Sequence, residues 1–110
     1  MLLLGASQPA DTKTSATLIF DTLGVPEREE RESSHYAEGS YFLGLKGRVN
    51  VKVSSGDSDY DDRPLWIVFS GPEDEIASLF ATAVSDLKRA GFRLSRFESF
   101  GKQDEIRVDL

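Results

Sequence analysis

The chain has 110 residues, no cysteine, 13 basic and 19 acidic side chains, and a formal net charge of −6. That length suits a single domain, and 39% hydrophobic with 29% charged residues is a globular composition, not a disordered one. The lack of cysteine excludes a disulfide scaffold, a thiolate metal site and a cysteine nucleophile, while the acidic balance argues against a nucleic-acid binder, which needs a basic face.

The first residues, Met1-Leu2-Leu3-Leu4-Gly5-Ala6-Ser7, have no basic residue ahead of the apolar run. The run is also shorter than the roughly 7–15 residues of a signal-sequence core. Residues 1–10 therefore read as a terminal segment of a single domain over 1–110, either packed on it or mobile. No stretch approaches the roughly 20 apolar residues of a membrane span. The expectation is a cytoplasmic protein with no membrane partner.

Ala16, Ile19, Phe20 and Leu23 then recur at helical spacing, behind Asp11 or Thr12 as a cap. Gly24 and Pro26 end that helix. The charged run from Glu27 offers a helix nothing to bury, so Glu27–Tyr36 reads as an extended edge segment. Ala37-Glu38-Gly39 has the character of a hairpin connection. Tyr41, Phe42, Leu43 and Leu45 form the return strand, with Gly44 read as a bulge and Gly47 as a turn. Val49, Val51 and Val53 alternate with Asn50 and Lys52, the strongest period-two signal in the chain.

Residues 54–63 are polar apart from Tyr60 and read as a loop. Leu65-Trp66-Ile67-Val68-Phe69 is a continuous apolar run, which suggests a central strand covered on both faces. From Ser70 to Gly91 the pattern is helical, with Ser70 or Gly71 as cap and Pro72 in the first turn. Ile76, Leu79, Phe80, Ala83, Val84 and Leu87 make one apolar stripe, of which Leu79 and Phe80 are read as core. Phe92 and Leu94 open a further strand, and Ile106, Val108 and Leu110 alternate in a last one. Runs of strands with segregated helices imply an α+β fold. The expected architecture is one mainly antiparallel sheet of five to six strands, with two helices packed on one face and the other face at least partly solvated.

Few residues point to chemistry. His35 is the single histidine, with Ser33 two positions before it. A Ser-His-acid relay also needs a nucleophile on a strained turn and an oxyanion hole, and neither is visible. Asp57, Asp59 and Asp61 fall at positions 1, 3 and 5 of a calcium loop, but Asp62 replaces the glycine at position 6 and Val68 the glutamate at position 12. No glycine-rich phosphate loop occurs. The reading is a non-enzyme without metal or cofactor.

Charge is the informative feature. Between Asp57 and Glu75 lie seven acids and one base, Arg63, so this segment holds the whole excess of negative charge. If the strand between them spans the sheet, its two ends are separate patches, roughly 20 Å apart. Glu73, Asp74 and Glu75 are explained by the positive end of the helix dipole. The four aspartates 57, 59, 61 and 62 are not, and such a patch steers a basic partner. On the edge segment the charges serve either as a guard against aggregation or as an interaction face anchored by Tyr36 and Tyr41.

The hairpin Glu30-Arg31-Glu32-Ser33-Ser34-His35-Tyr36 through Tyr41-Phe42, in a small acidic α+β chain, resembles small bacterial immunity proteins of polymorphic or contact-dependent toxin systems. That resemblance implies neutralisation of a partner toxin, often a basic nuclease, by covering its active site. The expected function is then a small acidic protein-binding module with a basic or mixed-charge protein partner. Its expected partner-binding residues are Asp57, Asp59, Tyr60, Asp61, Asp62, Glu30, Glu32 and Tyr36. The alternative is a structural or oligomeric assembly domain. Either monomer or homodimer is compatible with the sequence.

Overall fold

A computed structural model describes residues 2–6, 12–34, 39–55, 65–98 and 106–110. In chain order the elements are β1 (Leu2–Ala6), α1 (Thr12–Leu23), β2 (Glu27–Glu32), β3 (Ser40–Lys46), β4 (Val49–Ser55), β5 (Leu65–Ser70), α2 (Glu73–Arg89), β6 (Arg93–Glu98) and β7 (Ile106–Asp109). The strands form one sheet in the order β2-β3-β4-β5-β1-β6-β7, and every pairing is antiparallel.

The fold is α+β, as expected, with one strand more than the expected five to six. The extra strand is β1. The terminal segment inserts between β5 and β6, pairing Leu3 with Ile67 on one side and with Arg96 on the other. It thereby separates two strands that α2 joins in sequence. β2 through β5 form a meander, whose β3–β4 turn is the two residues Gly47 and Arg48.

Both helices lie on the same face, and one core joins them to the sheet. It contains Ala16, Ile19, Phe20 and Leu23 of α1, Ala83 and Leu87 of α2, and Val51, Val53, Ile67, Phe69 and Leu94 of the sheet. Cross-strand pairs keep this face in register: Phe42 opposite Val53, Val53 opposite Ile67, and Val51 opposite Phe69. Each such buried aliphatic or aromatic side chain contributes about 1.5–3 kcal/mol of transfer free energy.

Several local readings are corrected by the tertiary arrangement. In β5, Leu65, Ile67 and Phe69 are buried, whereas Trp66 and Val68 are half-buried. The strand is central, and among the described residues both helices cover the face of Leu65, Ile67 and Phe69 and none covers the other. Gly44 makes no bulge: it pairs regularly with Arg28 and Val51. Its role is steric, since a Cβ there would stand 2.7 Å from Cγ1 of Val25 and 2.9 Å from Cε1 of Phe20. The missing side chain lets α1 and the residues after it seat directly on β3.

The second helix is shorter than its sequence pattern, and Pro72 is its N-cap, not a first-turn residue. Gly71 explains why. It has φ of 144°, and a Cβ would lie 2.5 Å from the Arg48 carbonyl oxygen, so the chain passes the β3–β4 turn before it turns into the helix. On the apolar stripe only Ala83 and Leu87 are fully buried; Ile76, Leu79, Phe80 and Val84 pack against the core but stay partly exposed. Phe80 meets Phe69 edge to face, with ring centroids 5.7 Å apart. The first helix ends as its sequence implies. Gly24 takes φ of 67°, Val25 N–H donates to the Phe20 carbonyl at 2.9 Å, and Lys46 donates to the Leu23 carbonyl.

Candidate protein-recognition surface

The face of the sheet opposite α1 and α2 follows from strict alternation. Tyr41, Leu43 and Leu45 of β3 are half-buried there, as are Trp66 and Val68 of β5. Between these two apolar columns runs the polar column of β4, with Asn50, Lys52 and Ser54. Lys52 places its ammonium 4.9 Å from the Tyr41 ring centroid, a cation–π contact. At the outer side of β3, the same face continues onto Glu27, Glu29 and Arg31 of β2. These three, with Leu43, Leu45 and Asn50, line a shallow open groove of about 480 Å³.

β2 is an edge strand, and every residue from Glu27 to Glu32 is exposed. Its side chains divide by parity. Arg28, Glu30 and Glu32 lie on the helix side, since Glu30 pairs with the buried Phe42. Arg28 is held by α1: its Nε donates to the Val25 carbonyl at 2.8 Å, its Nη1 stands 2.7 Å from Asp21, and its guanidinium lies 5.8 Å from the Phe20 ring centroid. Lys13 of α1 reaches Glu30 at 3.7 Å. On the open side Arg31 donates to Glu29 at 3.1 Å. Hydrogen bonding to Glu29, then to Tyr41, raises the Arg31 pKa further, so its charge is permanent.

Of the residues expected to meet a partner, Glu30 and Glu32 are placed together on the helix side of the edge strand. Asp57, Asp59, Tyr60, Asp61, Asp62 and Tyr36 lie outside the described residues, as does His35. The strand ends at Glu32, and Ser33 and Ser34 of the expected extended segment lie outside it, although Ser33 N–H still donates to the Gly39 carbonyl at 2.8 Å. The segment carrying the aspartates leaves β4 at Ser55 and re-enters β5 at Leu65, two residues that pair with each other. Glu73–Glu75 start α2 beyond the other end of β5. The two acidic stretches are thus rooted at opposite ends of that strand. Glu75 is further accounted for by its ion pair with Arg48, at 3.0 Å.

Sequence reasoning missed Leu43, Leu45, Trp66 and Val68 as surface residues. The alternation of β3 is readable, but the continuous apolar run in β5 conceals which of its residues face out. Among the described residues no group of three or more acidic or histidine side chains is placed to hold a metal. The groove between α2 and the β3–β4 turn, about 260 Å³, has Lys46 and Glu75 as its charged groups. Both are engaged within the fold, Lys46 by the end of α1 and Glu75 by Arg48. No helix is long and apolar enough to cross a membrane among the described residues. No family model matches the chain, and no curated protein or solved structure is significantly similar to it.

Proposed function

We propose that this chain is a non-enzymatic protein-recognition module that binds through the open face of its sheet. The observation that carries the reading is the pair of half-buried columns, Tyr41-Leu43-Leu45 and Trp66-Val68, on the face of the sheet opposite both described helices. Aromatic and aliphatic side chains around a few charges are the usual composition of a binding surface. The partner is a basic or mixed-charge protein, since the chain carries a net charge of −6. Its narrower form is an immunity protein that neutralises a basic toxin, with the Asp57–Asp62 stretch as part of the inhibitory surface.

Affinity capture of the tagged protein from its native cells, at low and high salt, tests this reading. A basic protein retained at low salt, and released both by salt and by Leu43→Lys, is the expected result. Reversing the charges of Asp57, Asp59, Asp61 and Asp62 separates the acidic stretch from the sheet face. Capture that withstands both sets of substitutions overturns the proposal. Recovery of the bait alone moves weight to the alternative, an oligomeric assembly domain.

A further inference from the structure

The edge strand β2 carries a pattern more specific than a charged guard. Antiparallel pairs alternate between residues that exchange backbone hydrogen bonds and residues that do not. Ser33 donates to the Gly39 carbonyl, so the odd-numbered positions of β2 turn their backbone groups toward β3. Arg28, Glu30 and Glu32 therefore turn theirs outward, and among the described residues no strand pairs with that side.

We propose that two copies of the chain join antiparallel through β2, with a twofold axis at Glu30. In this register Glu30 faces its symmetry mate, and Arg28 faces Glu32 of the other copy in both directions. These rungs use the three outward positions and supply about six backbone hydrogen bonds. Between them, Glu29 faces Arg31 of the other copy, again twice. Four of the five charged pairs are opposite in sign. The one like pair, Glu30 against Glu30, is flanked by Lys13 of each α1, which already stands 3.7 Å from its own Glu30.

Neighbouring registers are worse. A shift of one residue pairs Glu27 with Glu32, Arg28 with Arg31, and Glu29 with Glu30, all like charges. It would also set each outward-facing position against one whose backbone groups turn toward β3, so no rung would form. Centring the axis on Glu29 instead keeps the signs favourable, but its two outer rungs set Glu32 opposite Pro26, which has no N–H and lies outside β2, so only the two rungs between Arg28 and Glu30 are complete. The sequence Glu-Arg-Glu-Glu-Arg-Glu thus favours one continuous-sheet register.

Space permits the arrangement. α1 packs over β3 and β4 and meets β2 at Arg28 and Glu30 through Asp21 and Lys13, contacts on the helix face that leave the outward backbone groups of the edge without a strand partner among the described residues. With strands about 4.8 Å apart, the two copies of α1 would lie roughly 15–20 Å from each other, well beyond helix contact. The joined sheet keeps all helices on one side and makes the open faces of both copies continuous.

Mass in solution across a wide concentration range, by sedimentation of the untagged protein, tests the proposal without any partner. A concentration-dependent dimer is expected. Glu30→Pro removes an outward N–H that β3 does not use, so the dimer should be lost while circular dichroism stays that of the folded chain. Arg31→Glu makes two opposite pairs alike and should weaken association at least about tenfold, and Glu29→Arg with Arg31→Glu should restore it. Glu30→Gln removes the one like pair and should tighten the dimer by about twofold to fivefold. A monomer at every concentration overturns the proposal, as does a dimer that survives Glu30→Pro. Failure of the charge swap to rescue Arg31→Glu overturns the register.

Discussion

Adding one methyl group at Gly44 tests how α1 is seated on the sheet. The new Cβ would meet Val25 Cγ1 at 2.7 Å and Phe20 Cε1 at 2.9 Å, well inside van der Waals contact. Neither neighbour has room to withdraw, since Val25 is 1% and Phe20 2% exposed. Overpacking of this kind costs about 1–3 kcal/mol. Replacing glycine by alanine also restricts the unfolded chain, which offsets about 0.4–1 kcal/mol. Gly44→Ala should therefore destabilise the protein by about 1–2 kcal/mol, read from urea unfolding as a lower midpoint with unchanged slope. The companion variant Val25→Ala removes the nearer of the two atoms and by itself costs about 2 kcal/mol. Because the two changes relieve each other, the double variant should lose at least about 1 kcal/mol less than the sum of the singles. A Gly44→Ala protein as stable as the parent, with strictly additive effects in the double, would refute the close seating of α1 on β3.

Three further expectations follow from burial and backbone geometry. Leu87→Ala should cost about 2–5 kcal/mol, and Leu79→Ala clearly less, because Leu87 is fully buried and Leu79 only partly so; equal losses in thermal unfolding would contradict the placement of α2. Gly71→Ala should lose at least about 2 kcal/mol through its φ of 144° and the Arg48 carbonyl 2.5 Å from the new Cβ, and a neutral effect would mean the chain does not pass that turn. Ser95 Oγ donates to Asp109 at 2.6 Å, so Ser95→Ala should cost about 1–2 kcal/mol. Hydrogen exchange at β7 should rise in that variant, and unchanged protection there would show that the bond does not hold β7 in place.

Much of the fold was legible because its determinants are local. The helix ends were announced by Gly24 and by the acids at the start of α2, and the Val49-Val51-Val53 alternation marked β4 and its buried face. The charged run from Glu27 was readable as an edge, since six consecutive charged side chains fit only where water reaches them. Gly44 was misread because a glycine in a strand has the same sequence appearance whether it bends the strand or admits a neighbour. Leu79 and Phe80 share the phase of Leu87, but helical phase gives direction and not depth. Whether a stripe residue reaches the sheet depends on where the helix axis lies over it.

The sequence by itself determined the class of the fold, the number and phase of its helices, the charged edge and the exclusion of thiol chemistry. Each of these rests on periodicity, capping or composition, which act within a few residues. Only the tertiary structure decided that residues 2–6 insert between β5 and β6, and that Trp66 and Val68 are the residues of β5 that turn away from the helices. Those outcomes depend on pairing between segments about 60 to 90 residues apart. A five-residue run such as Leu2–Ala6 has no turn or period of its own to show which strands it will lie between. Its partners are set by which exposed edges remain once the meander and the helices have formed.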